Sequence, residues 1–312
     1  MRRLILLLAL LFSISLTYAQ NDPHFSLFEF SQLTYNPAYA GSNDAICVSS
    51  VHRQDFVGFP EGRPMTTVFN ADMPINAISS AVGLNFMQDI IGFQKDFYFN
   101  LAYAYRLEVG YGKLGIGVNL GIINRSIDGD WITPESLDGG TIYSDPNIPH
   151  MESKIAFDMG FGAFYRMENF YAGISATHLL QPQINFDIEK PSYIRRHYYI
   201  TGAYVYQLPN PVFEVKPSTL IQLDGATTQF TINGQIIYNK RLWGGISYRF
   251  DDAISPMVGM HLMNGLSFGY SYDIDLSPLG KYSSGSHELM VRFCFGIDGG
   301  GGPGRYRSVR RL

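Results

Sequence analysis

From residue 44 to residue 297 the chain repeats one pattern: large apolar side chains alternate with small or polar ones, and each such stretch ends in a break. The clearest stretch follows Lys113. There Leu114, Ile116, Val118, Leu120 and Ile122 share one parity, and Gly115, Gly117, Asn119 and Gly121 share the other. Period two places the two sets on opposite faces of a strand. The same pattern sets Phe97, Phe99, Leu101 and Tyr103 against Asn100, Ala102 and Ala104, and Leu289, Val291, Phe293 and Phe295 against Glu288, Arg292 and Cys294. Arg106, Asp158, Arg166 and Asp273 all fall on the small or polar parity. In a membrane barrel the large residues face lipid, where an arginine at mid-membrane costs roughly 2–4 kcal/mol, and the small and polar ones face the lumen. A secreted β-sandwich would share this charge parity, with its large residues facing inward.

The breaks separate these readings. The pattern predicts strands near 44–51, 64–73, 78–88, 95–107, 113–124, 153–166, 170–179, 194–207, 212–223, 227–238, 242–250, 256–263, 266–274 and 286–297, fourteen in all. Short links fall at 73–77, 108–112, 167–169, 208–211, 239–241 and 263–265. Longer ones fall at 51–63, 88–95, 124–152, 179–194, 223–227, 250–255 and 274–285. Alternating short and long links are the habit of transmembrane β-barrels, with tight turns on the periplasmic side and longer loops outside. The expected fold is therefore all-β: a transmembrane antiparallel β-barrel of about fourteen strands, spanning 44–297, with loops extracellular and both termini periplasmic.

Composition supports this. Phe, Trp and Tyr make up 14% of the chain and charged residues only 16%, against about 25% charged in soluble domains. Barrels use aromatics at the membrane interfaces and Gly where strands crowd the lumen. A net charge of −4 gives no case for nucleic-acid binding. Residues 1–19 read as a signal peptide, with Arg2 and Arg3, an apolar run, and Thr17-Tyr18-Ala19 as the cleavage site. The run falls short of the ~20 residues that a spanning helix needs. The tail 298–312 is Gly-rich and then basic, with Arg305, Arg307, Arg310 and Arg311, and reads as flexible.

Several sequence blocks stand out. Asp22-Pro-His-Phe-Ser26 is followed by Tyr35-Asn-Pro-Ala-Tyr-Ala-Gly41, then by Arg53-Gln-Asp-Phe56. Near the other end stand Tyr272-Asp273, Ser277 and Ser286-His-Glu-Leu-Met-Val-Arg-Phe293. This set resembles the PorP/SprF family of Bacteroidota outer-membrane proteins, over essentially the whole mature chain. Asp55-Phe56 stands where the family usually has an aromatic such as Trp after Arg-x-Gln. The resemblance implies a non-enzymatic outer-membrane barrel of the type IX secretion and gliding machinery. It also implies partners: a periplasmic ring lipoprotein, a peptidoglycan-binding protein and a secreted adhesin with a type B C-terminal signal. No cofactor is implied. A fatty-acid-type transporter, also fourteen-stranded with an N-terminal plug, is the alternative.

Segment 20–43 is polar and Pro-broken yet carries Phe25, Phe28, Phe30, Tyr35 and Tyr39, a density of aromatics atypical of disorder. It is expected to be an ordered periplasmic segment or plug. Asn36, Pro37, Ala38, Tyr39 and Gly41 are its candidate plug or partner-docking residues. Cys47 and Cys294 lie near the periplasmic ends of the first and last strands with lumen parity; they are either a seam disulfide or two free thiols. The loop 124–152, with Trp131, Glu135, Asp138 and Asp145, is long enough to bind a surface ligand or the adhesin, or to serve as cover. The histidines show no metal-ligand spacing, and no hydrolase motif is present. His178 beside Ser175 is the nearest approach to a lipase pair.

Overall fold

In a computed structural model, the protein is described over residues 22–59, 62–128, 152–184, 186 and 192–296. The expected signal peptide, the tail after 297 and loop residues 129–151 lie outside this range. Fourteen strands form the wall: β1 (Ala45–Gln54), β2 (Met65–Ile75), β3 (Ser80–Ile91), β4 (Gln94–Val109), β5 (Gly112–Ile127), β6 (Glu152–Arg166), β7 (Phe170–Thr177), β8 (His197–Tyr204), β9 (Phe213–Leu223), β10 (Thr228–Tyr238), β11 (Leu242–Arg249), β12 (Ala253–His261), β13 (Leu266–Asp275) and β14 (Ser286–Gly296). Each pairs antiparallel with the next in sequence, and β14 returns to β1, so the sheet closes and leaves no open edge.

Face assignment follows the alternation read from sequence. On β5, Val118 is 43% exposed and Leu120 61%, while Gly115, Gly117 and Gly121 on the other parity are buried. Asp158 and Asp273 are buried on the lumen side, and Arg106 with them.

The link lengths differ from expectation at three places. The 88–95, 223–227 and 250–255 links are tight turns rather than long loops. β3 runs on to Ile91 and β4 begins at Gln94, with Gly92 at φ +60 making the reversal. The polar residues read there as loop are strand residues: Asp89 accepts from Thr66 Oγ1 (2.6 Å), and Asp96 is held by Arg125. Asp224 closes its own turn by accepting from the backbone N–H of Ala226 and Thr227. β12 starts at Ala253, so Pro256 lies inside a strand. The β12–β13 ladder skips its position, as the missing N–H requires.

The lumen also differs from a water-filled barrel. Val51, Val68, Met87, Tyr98, Leu220, Trp243, Met257 and Met290 point inward and are almost fully buried. They form one apolar cluster with Phe25, Leu27, Phe28 and Tyr35 of the N-terminal segment. Burying a side chain of this size is worth ~1.5–3 kcal/mol, so residues 22–43 form the core of the barrel.

The β6–β7 ladder is short. β7 pairs with β6 only over Phe161–Arg166. Beyond that the link after β7 lies along β6, with Leu179 N–H donating to the Met159 carbonyl (2.9 Å). Ile184, Phe186 and Ile194 are buried there.

Candidate functional site

The N-terminal segment and its socket bring together residues distant in sequence. Asn36 is the pivot. Its Oδ1 accepts from Ala38 N–H (2.9 Å), capping the short turn Pro37–Tyr39, with Pro37 at the first position where no donor is lost. Its Nδ2 donates to the carbonyls of Ala163 (3.0 Å) on β6 and Ile174 (3.3 Å) on β7. Pro37 and Ala38 lie directly on β5: a Cβ at Gly117 would sit 2.5 Å from Ala38 N, and one at Gly115 would sit 2.5 Å from Ala38 O. The lumen glycines of β5 are therefore a seat for the plug backbone. Tyr39 packs edge-on against Phe164 (centroids 5.3 Å apart), and its hydroxyl accepts from Arg292 and Asn43. Gly41 needs both its positive φ (+67) and its missing side chain, since a Cβ would meet Ala81 Cβ at 2.5 Å; its N–H donates to Asp72 (2.8 Å). Asp44, at the exit to β1, is paired with Arg106 and with Lys113 (2.8 Å). Arg106 and Lys113 hold its carboxyl below the usual value of 3.8, against the opposing effect of its partial burial.

At the other end of the lumen the remaining blocks converge. Glu288 accepts from the backbone N–H of Ser26 (2.9 Å) and Leu27 (2.8 Å) and pairs with Arg53 (3.1 Å). Asp273 takes Arg53 (2.7 Å), Arg249 (2.5 Å) and Ser26 Oγ (2.9 Å). Arg53 faces Glu288 across the β1–β14 seam. Thus Ser26, Arg53, Asp273 and Glu288, from four separate blocks, form one buried network that holds the plug. Arg249 belongs to it and was not singled out from sequence; its lumen parity was the available signal. Glu29, ion-paired with Lys216 and bonded by Ser218, fixes the middle of the plug to β9. An asparagine ladder, Asn100 to Asn85 (3.1 Å) to Asn70 (2.8 Å), crosses β4, β3 and β2 and ends on Thr34.

The segment therefore threads the lumen rather than sealing one mouth. Its exit at Gly41 lies at the short-link end, whereas Asp22 sits among residues at the long-loop end. There the Asp22 carboxylate faces His178 Nε2 (3.2 Å) and accepts from the Tyr199 hydroxyl (2.5 Å). The apolar cluster draws the segment inward along its whole length. The candidate plug or docking residues Asn36, Pro37, Ala38, Tyr39 and Gly41 are all buried against the wall.

Cys47 and Cys294 stand directly opposite each other in the β1–β14 register and are joined by a disulfide. Arg292 donates to the sulfurs of both. The Ser175–His178 pair does not exist as a catalytic unit: Ser175 Oγ donates to the Tyr35 carbonyl (2.7 Å), and both side chains are buried in the lumen.

The sequence model of the type IX secretion system membrane protein PorP/SprF matches residues 17–293. The chain belongs to the PorP/SprF family. No curated relative matches it. Solved structures of similar shape include the outer-membrane protein Omp33 of Acinetobacter baumannii, at 8% identity and TM-score 0.47, covering 80% of this chain and 98% of that one. The toluene transporter TbuX of Ralstonia pickettii shares 10% identity at TM-score 0.48, with 86% and 94% covered. A FadL homologue from Pseudomonas aeruginosa shares 11% at 0.44, with 83% and 91% covered. These are distant likenesses of shape. As a PorP/SprF protein with a closed barrel, the chain is an outer-membrane component of a type IX secretion system; nothing in it shows catalysis.

Proposed function

We propose that this PorP/SprF barrel is a non-enzymatic anchor. It ties the periplasmic ring lipoprotein and the peptidoglycan-binding protein to the outer membrane, and it supports export or surface attachment of an adhesin with a type B C-terminal signal. In this reading the short links face the periplasm and the long loops face outward. One observation carries it: the lumen is filled by the chain's own residues 22–43, so the barrel offers two ends rather than a pore. At the short-link end Tyr111 is 96% exposed and Met263 70%, apolar surface suited to a partner or to lipid headgroups. The fatty-acid-type transporter needs a continuous apolar path through the barrel. The plug occupies the lumen, and buried side chains pack where the β6–β7 ladder is short. In cells lacking the chain, the adhesin should disappear from the surface, and the tagged barrel from complemented cells should co-purify the ring lipoprotein. Normal surface adhesin in the deletion strain, together with a pull-down free of the lipoprotein, would contradict the anchor role.

A further inference from the structure

Asp22, His178 and His197 place one donor atom each within 4.8 Å of one another, at the point where the first described residue of the plug meets the β7–β8 link. The His178 imidazole is oriented as a metal ligand usually is. His178 Nδ1 is bonded to Asp158 Oδ2 (2.7 Å), and its Nε2 turns to Asp22 Oδ2 (3.2 Å). His197 Nε2 accepts from Asp22 N–H (3.3 Å), and its Nδ1, bonded to the Arg195 carbonyl (3.0 Å), stands 3.7 Å from Asp22 Oδ2; a cation there takes Nε2 once that N–H turns away. A carboxylate or a backbone carbonyl on the far ring nitrogen is the outer-shell arrangement that fixes the tautomer and raises the basicity of a ligating imidazole. Two further observations point to a bound cation. Asp158 is 4% exposed, yet its Oδ1 has no hydrogen-bond partner. A cavity of 20 Å³ lies against Asp22, Asp158, His178 and Tyr199, room for about one water. With neutral imidazoles the cluster carries the two negative charges of Asp22 and Asp158, which a divalent cation neutralises.

We propose that Asp22, His178 and His197 bind a divalent transition metal of borderline softness, zinc before others, with a water in the cavity as fourth ligand. Two nitrogens and one carboxylate suit zinc, whereas calcium and magnesium call for a shell of oxygens. The ion staples the start of the plug to the wall over sequence separations of 156 and 175 residues. It does so beside the short β6–β7 ladder, where the wall depends on the packed link. This inference does not depend on the secretion role. It predicts that the barrel grips its own N-terminal segment most tightly when metal-loaded.

The test uses the full chain, purified folded in detergent, stripped with a chelator and then equilibrated with zinc alone. After gel filtration the wild type should retain about one zinc per chain, and Asp22→Asn and His197→Gln should each lower zinc affinity by about 10–100-fold. Cobalt loading should give the visible absorption of a low-coordinate nitrogen–oxygen site, unchanged by excess magnesium. Heat-modifiable migration reports folding; should both variants fail to fold, the wild-type stoichiometry and cobalt spectrum decide the matter. Wild-type zinc well below one per chain, or no cobalt spectrum above that of free ion, would overturn the site. So would folded variants that retain zinc as the wild type does.

Discussion

Single side chains hold the plug, and Asn36 is the most exacting of them. Asn36→Asp keeps the acceptor for Ala38 N–H but removes both donors to Ala163 and Ile174 and sets a charge against their carbonyls. Each buried acceptor left unpaired costs about 1–3 kcal/mol. The denaturation midpoint of the folded barrel should fall accordingly; an unchanged midpoint would mean that the amide is not the pivot. Asp44 gives a pH signature. Its carboxyl titrates below 3.8 in the folded state, so its pairing with Arg106 and Lys113 contributes stability that is present above that value and lost as pH falls through the lowered one. The stability difference between wild type and Asp44→Asn should be present at neutral pH and shrink toward zero below about pH 4. A difference that stays constant down to acid pH would contradict the pairing. Since Asp44 is half exposed, the effect should be small.

At the scale of the element, β5 carries two kinds of information on its two faces. Val118→Arg puts a charge in lipid at a cost of roughly 2–4 kcal/mol and should reduce the folded fraction in the outer membrane. Gly117→Val should leave the wall assembled but unseat the plug, because its Cβ would collide with Ala38; proteolysis of the N-terminal segment in folded barrels measures this. Equal assembly of Val118→Arg and wild type would invert the face assignment. The period-two alternation that made β5 legible in the sequence is the physics of lipid on one side and a crowded interior on the other. The turns were less legible. Asp89 and Asp96 look like loop residues, but their polarity comes from lumen-side pairing, with Thr66 and with Arg125. Pro256 reads as a break, yet a strand tolerates it where the ladder skips a bond. The sequence places glycines where the lumen is crowded; what crowds it on β5 is Pro37 and Ala38. A packed lumen also means that an arginine at Asn119 would collide, since Asn119 Oδ1 already lies 2.2 Å from where a Cβ on Gly160 would stand.

For the whole molecule, the sequence blocks at Asp22, Asn36, Arg53, Asp273 and Ser286 have one joint meaning that linear reading does not reveal. They are the plug and its two sockets, brought together only when β14 closes on β1. The large apolar lumen residues, Trp243 and Met290 among them, were the sequence signal that something solid fills the barrel. Phe30 stacks on Trp243 with centroids 5.6 Å apart. A barrel so filled cannot conduct. Reconstituted into planar lipid bilayers, the folded wild-type protein should show insertion without a stable ohmic current, while Gly117→Val should show intermittent openings. A steady open-pore conductance from the wild-type barrel would contradict the plugged lumen on which the whole account rests.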